Sequence, residues 1–428
     1  MIIQYVLLGI CSVVFLGIAW KKFSVAFGIL IVALPTYLLR LKIGPLPSTL
    51  LEVLFGLFFL VWLVRYAKDD GRVITETIKK RPYFFIAIGI FFAASLLGVA
   101  VSDMVLLSFG QWRAYFLEPV LLFLVLIGRT KYFEVRHYTW PLLISTVSIG
   151  SYAIVQKFTG YGIATPEWTA AATRRVTAFY TSPNAVALYL APLVPLAIAW
   201  GIKRYRENKK LPAYAAFLVA ALSLAAIAFT FSQGAFIALS LGFVIFIGLL
   251  GYKKSAISIV VIGVVAACAI IFFPNSLPVH YKSAGNRVLL WSYSEQFLSA
   301  SPKNFVLGAG VRQFFRKIQK PHYDVKKMER LIYPHNIFLN FWTETGLFGM
   351  LSFTALYVYL FVSAFRYYRH RDKILGTGIF VMLIVMFVHG LIDVPYFKND
   401  LAMLFWVLAA FIFTVEAKQF PQFQKTAV

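Results

Sequence analysis

Apolar residues run through this chain in blocks of about twenty, separated by short polar breaks. A helix needs ~20 mostly apolar residues to cross the hydrocarbon of a bilayer. Blocks of that length lie near residues 2–20, 24–40, 48–64, 83–101, 109–128, 139–158, 183–202, 212–230, 234–251, 255–273, 336–363, 374–393 and 399–416. The pattern predicts an all-α polytopic membrane protein with 12–13 transmembrane helices, the lower number applying if one block is re-entrant. The block at 109–128 is the weakest, because it contains Arg113 and Glu118. The first block has no basic region before it and no small-residue cleavage site, and Lys21 and Lys22 follow it. It is therefore expected to be an uncleaved first helix and not a signal peptide.

Composition agrees with this pattern. Of the 428 residues, 60% are hydrophobic and only 14% charged, with mean hydropathy +0.78, against roughly 25% charged residues in a soluble domain. The formal net charge is +24. In a soluble protein that would point to nucleic acid, but here the basic residues fall between spans. Loops near Lys21, 65–82, 129–138, 203–210, Lys253, 366–373 and the C-terminal tail hold 24 of the 41 Lys and Arg. Outside the long segment from Pro274 to Pro334, only 7 others remain. Long loops cross regardless of charge, so the short basic loops are expected to be cytoplasmic and to meet anionic membrane lipid. No nucleic-acid partner is expected. Cys11 and Cys268 both lie in apolar blocks, so no disulfide framework is expected.

Three regions follow: a transmembrane bundle of about ten spans over 1–273, an extracytoplasmic loop over 274–334, and a second bundle over 335–428 ending in a cytoplasmic tail. A smaller outer loop spans Thr159 to Ser182. The cytoplasmic loops lack a Gly-rich phosphate cradle with its lysine, so ATP-driven work is not expected. Chemistry should sit at the outer face.

Polar groups at the mouths of spans carry the candidate chemistry, because hydrocarbon cannot solvate them. In "YPHNIFLNFWTETGLFG", His335 lies at the mouth of a span, and imidazole is suited to proton transfer near neutral pH. Asn336, Asn340 and Glu344 recur every four residues and would form one polar stripe that glues helices together. In "RRVTAFYTSPNAVALYL", Arg174 and Arg175 stand in the outer loop, with Asn184 at the following span start. Outer-side arginines call for an anionic partner such as a headgroup or a diphosphate, or act as interfacial anchors. "SAGNRVLLWSYSEQFLSASPKNFVLGAG" reads as an amphipathic helix on the outer membrane surface, with Val288, Trp291 and Phe297 on its apolar side and Arg287 at its start. Arg312, Arg316 and other basic residues of this loop form a solvated face or attract anionic lipid. In "HGLIDVPYFKNDLAMLFW", His389 and Asp393 would share one helical face, where the carboxylate orients a catalytic group or pairs with arginine. The six histidines are scattered without ligand spacing, so no metal site and no cofactor is expected.

The order of these elements resembles the O-antigen ligase and polymerase superfamily over roughly residues 90–416. "YPHNIFLNFWTETGLFG" is similar to its His-Asn…Glu-x-Gly-x-x-Gly signature. "RRVTAFYTSPNA" is similar to its Arg-x-Thr-x-x-x-x-x-Pro-Asn element, and "NRVLLWSYSEQF…VLGAG" to its Arg-x-x-x-Trp…Gly-x-Gly element. The resemblance implies a bacterial GT-C-like glycosyltransferase of the cytoplasmic (inner) membrane, with its active site on the extracytoplasmic side. It implies a glycan donor on undecaprenyl diphosphate and an acceptor hydroxyl on a glycan, a glycolipid or a protein, without metal or nucleotide sugar. Carried over, His335 would be the general base and Arg175 and Arg287 the diphosphate clamp. Where family members commonly have Ser-Arg-Gly, this chain reads Ser232-Gln233-Gly234. Gln233 brings hydrogen bonds but no charge, so the resemblance implies that this part of the diphosphate site is either weakened or supplied elsewhere, by Arg174 or Arg312. Back-side attack on the donor would invert the anomeric centre. Two other readings compete, a lipid-linked glycan flippase or transporter and an inactive glycan-binding member. The first favours midplane charges and internal symmetry, whereas here the polar groups gather at outer ends.

Overall fold

The computed structural model describes residues 2–43, 46–255, 257–258, 281–324 and 330–418. It is a helical bundle with one small hairpin. In chain order the helices are α1 (Ile2–Lys21), α2 (Phe23–Val32), α3 (Leu50–Arg65), α4 (Ala67–Lys80), α5 (Pro82–Ala100), α6 (Val105–Trp112), α7 (Glu118–Gly128), α8 (Val135–Thr159) and α9 (Pro183–Leu190). There follow α10 (Leu193–Arg206), α11 (Lys210–Thr230), α12 (Gln233–Leu250), α13 (Tyr281–Ser299), α14 (Pro302–Leu307), α15 (Ile337–His370), α16 (Lys373–Gly390) and α17 (Asn399–Ala417). Among the described residues, nine helical segments are long and apolar enough to cross a membrane, or ten if the bent pair α3–α4 is one span. The protein is an all-α polytopic membrane protein.

The difference from 12–13 spans lies in four places. The helix over 24–40 stops at Val32, because Pro35 opens a 3-10 turn, Leu34–Leu38, which leads into an antiparallel hairpin of β1 (Arg40–Ile43) and β2 (Leu46–Thr49). The ten residues of α2 rise only ~15 Å, half the hydrocarbon thickness. Beside it, of the 20-residue α1 only Leu8–Lys21 enters the span count, as one of the shorter apolar helices. The 16-residue α3 begins on a capping box, with Thr49 accepting from the Glu52 N–H and Glu52 accepting from the Thr49 N–H. It then bends 94° into the amphipathic α4. The block at 255–273 falls almost wholly outside the described residues.

Charge inside the weak block at 109–128 is neutralised locally. Arg113 pairs with Glu52 at 2.7 Å and with Glu118 at 3.2 Å, and the chain takes one π-turn, Arg113–Leu117, between α6 and α7. Buried charges survive in such a place only when paired. The centre of the bundle is α17, nearly every residue of which is buried. Its Trp406 meets Phe91, which joins a cluster of rings with Phe341, Phe353 and Tyr396. Dispersion and edge-to-face geometry hold such a core where lipid removes the hydrophobic driving force. The spans before 273 and after 335 interleave, so that boundary divides the sequence and not the space.

One break positions the site. At Gly346 (φ 74°, ψ −178°) α15 leaves helical geometry and then resumes. The break frees the Thr343 carbonyl, which accepts from the N–H of Ala309 at 2.7 Å. The Val311 N–H in turn donates to the Gly98 carbonyl at 2.9 Å. The segment Gly308–Val311 is thereby stitched between α5 and α15. A Cβ at Gly346 would collide with the Val306 carbonyl oxygen, and its dihedrals are open only to glycine. Gly346→Val should therefore cost on the order of 3 kcal/mol or more and remove the folded species. Gly89→Ala, with open space around it, should leave it intact. Fluorescence-detected size exclusion of the two variants checks this, and a monodisperse Gly346→Val protein would contradict it.

Candidate active site

His335 is held from three directions. Its own backbone is left-handed (φ 55°). On one side Trp291 of α13 donates its indole N–H to the Pro334 carbonyl at 2.9 Å. On the other, Asn336 is the N-cap of α15: its side chain accepts from the N–H groups of Phe338 and Leu339 at 3.0 and 3.1 Å and donates to the Leu391 carbonyl at 3.0 Å. A cap of this kind satisfies orphan helix donors. Asn336 is thus a cap outside the helix, and the expected stripe reduces to buried Asn340 and Glu344.

The imidazole meets a carboxylate. His335 Nδ1 lies 3.2 Å from Asp393 Oδ1, and Asp393 Oδ2 accepts from Asn184 at 3.1 Å. Asp393 is buried, which raises its carboxyl, but His335, His389 and Arg287 outweigh this and hold it well below the usual carboxylate range. An ionised Asp393 favours the tautomer with the proton on Nδ1, leaving the Nε2 lone pair free to accept a proton. Asp393 does not share a helical face with His389, because α16 ends at Gly390. The turn after it folds the carboxylate back toward His389, which is itself buried beneath Gly234 of α12, whose Cβ would lie 2.9 Å from the ring.

Two arginines converge beside this pair. Arg175 is placed by a loop that Gln156 of α8 ties down, accepting from the N–H groups of Thr177 and Ala178 at 2.9 and 2.7 Å. Its Nε donates to the Thr230 carbonyl at 2.9 Å, and another guanidinium nitrogen reaches Asn184 at 3.5 Å. Burial and then the nearby Arg287 make the Arg175 charge costly, lowering its pKa. Among the described residues, neither Arg175 nor Arg287 forms an ion pair with a carboxylate. The two guanidiniums repel one another, and Arg287 also feels the Asp393 carboxylate. Thr230 leads directly into the start of α12, where exposed Gln233 stands in the first turn. Helix N-termini add further positive potential.

The loop helix α13 differs from the expected pattern. Its buried face is Leu290, Ser294 and Leu298, with Leu290 packed among Ala309, Phe314 and Ile318, while Val288 is exposed. It docks onto the stitched segment, which is what presents Arg287. Two basic residues lie elsewhere. Arg174 spends its guanidinium on the carbonyls of Thr169 and Lys157, both at 2.9 Å, and so closes the loop on itself. Arg312, also left-handed (φ 65°), stands over Glu344 and Tyr115. Glu344 further accepts from Gln111 at 3.5 Å.

One charged pair beside the site was not singled out from the sequence. Lys398 interacts with both Asp393 and Asp400. The Asp400 carboxylate lies against Tyr180 without reaching hydrogen-bond geometry. Its signal was the unusual Lys-Asn-Asp at a span start. Among the described residues, no three His, Cys, Asp or Glu side chains are placed to share a metal ion.

No curated protein matches the chain. Residues 218–354 match the family described as O-antigen ligase. That stretch contains the start of α12, the docked loop, His335 and the break at Gly346. Over that stretch the chain is similar to the O-antigen ligase family.

Proposed function

We propose that the protein transfers a glycan from undecaprenyl diphosphate to an acceptor hydroxyl at the extracytoplasmic face of the bacterial inner membrane, with inversion and without a metal ion. The observation that carries this reading is the juxtaposition of a carboxylate-oriented histidine with two arginines that form no ion pair among the described residues. Glycosyl transfer from a diphosphate needs a more nucleophilic acceptor oxygen and a stabilised leaving group. In this reading His335 Nε2 takes the proton of the acceptor hydroxyl, and Asp393 stabilises the imidazolium. The acceptor oxygen bonds to the anomeric carbon as the bond to the diphosphate oxygen breaks. Arg175, Arg287 and the start of α12 with Gln233 receive the charge left on the lipid diphosphate. A single displacement from the face opposite the leaving group inverts the anomeric centre. The acceptor is a hydroxyl of a glycan, a glycolipid or a protein.

A competing transport reading would want its charged groups near the bilayer midplane, whereas these lie at the start of α15 and in the turns before α9 and α17. The test uses purified protein in lipid with undecaprenyl-diphosphate glycan, candidate acceptor and excess EDTA. The expected product carries an inverted anomeric linkage, read by NMR. Retention of configuration, or activity that EDTA abolishes and Mg²⁺ restores, would overturn the proposal.

A further inference from the structure

A large cavity stands at the end of the bundle away from His335. It holds about 1520 Å³ and is walled by α4 and by the C-terminal ends of α7, α15 and α17. Lys68, Arg72, Lys131, Arg366, His370 and Lys418 line it. The two acids on its wall are engaged by other cations: Glu416 pairs with Arg81 at 2.6 Å, and Glu76 lies 3.8 Å from Lys79. Among the described residues, Lys68, Arg72, Lys131, Arg366 and Lys418 make no ion pair, and all five are exposed. Concentrating that much like charge around one concavity is unfavourable unless an anion occupies it.

We propose that this cavity binds the headgroup of an anionic glycerophospholipid. Three observations favour a lipid over a free anion. First, α4 leaves α3 at 94°, so it lies across the ends of the spans, at the level where phosphodiesters sit. Second, Val73, Ile127 and Phe413 give the cavity apolar walls beside the basic ones, which suits a glycerol backbone below a phosphate. Third, the volume far exceeds one phosphate ion. The site is remote from His335 and Asp393, so it is a structural lipid site independent of glycosyl transfer. Basic pockets between membrane helices are known receivers of such headgroups, and each cation near the surface is worth about a fivefold change in affinity.

The experiment titrates the detergent-purified full chain with phosphatidylglycerol, phosphatidylcholine or inorganic phosphate and reads thermal unfolding and lipid retention by native mass spectrometry. Phosphatidylglycerol should raise Tm saturably, whereas the other two should not. Arg72→Gln/Lys131→Gln/Arg366→Gln should weaken that response on the order of 100-fold, while Arg316→Gln, outside the cavity, should not change it. If the triple variant fails to fold, Arg366→Gln alone decides, with about a fivefold loss expected. An equal response in wild type and cavity variants, no selectivity for phosphatidylglycerol, or full reproduction of the shift by inorganic phosphate would each overturn the proposal.

Discussion

Replacing His335 by alanine should lower glycosyl transfer by about 10³-fold while leaving expression and Tm unchanged, because a positioned general base contributes roughly 10²–10⁴-fold. The fold does not lean on the imidazole: the Trp291 indole and the Asn336 cap fix the backbone around it. Asp393→Asn is the sharper variant. It preserves shape and the N–H···O bond from Val394, yet removes the charge that sets the tautomer and stabilises the imidazolium. Transfer should fall by about 10²-fold. A His335→Ala protein that is normally expressed and fully active would remove the base from the mechanism. Undiminished transfer in Asp393→Asn would reduce Asp393 to packing.

How much of this was legible beforehand depends on the range of the interaction. Span positions follow from local composition, and the nine long helical segments found among the described residues all fall on blocks of the apolar pattern. The early end of α2 was not legible, because a hydropathy block does not register that Pro35 can start a 3-10 turn. His335 could be chosen from its place at a span mouth. Asp393 could be singled out as a carboxylate able to orient a catalytic group, but its pairing with His335 could not be read, since that bond joins residues 58 apart and Asn184–Asp393 joins residues 209 apart. Arg174 and Arg175 look equivalent in sequence, and only the loop's closure separates them. Arg174 turns back onto carbonyls of Thr169 and Lys157, while Arg175 turns toward Thr230 and Asn184. The Glu-x-Gly-x-x-Gly run is legible as close helix packing, but Gly346 acts through a helix break that admits a loop 35 residues earlier, by way of the bond between Ala309 and Thr343.

The arginine pair supplies the second large effect, and its two members should fail differently. Arg287 makes no hydrogen bond or ion pair among the described residues, its attraction to Asp393 acting at longer range, so in the proposed mechanism its guanidinium is free to meet the diphosphate. Arg287→Ala should raise the donor KM and lower kcat/KM by about 10²-fold, since truncating one side of a desolvated charge pair costs roughly 2–5 kcal/mol. Acceptor KM and Tm should stay constant. Arg287→Lys restores charge without the planar fork and should recover part of the loss. Arg175 has two duties, because its Nε also satisfies the Thr230 carbonyl ahead of α12. Arg175→Ala should therefore lose a comparable factor in donor use and some stability as well, an orphaned carbonyl costing about 1–3 kcal/mol. Arg175→Lys cannot serve both partners and should rescue less than Arg287→Lys does. The double alanine variant should be less impaired than the product of the single effects, because removing one guanidinium relieves the repulsion that burdens the other. Steady-state kinetics with varied donor at fixed acceptor separate these outcomes. Unchanged donor KM in both alanine variants, at normal expression, would mean the diphosphate is bound elsewhere.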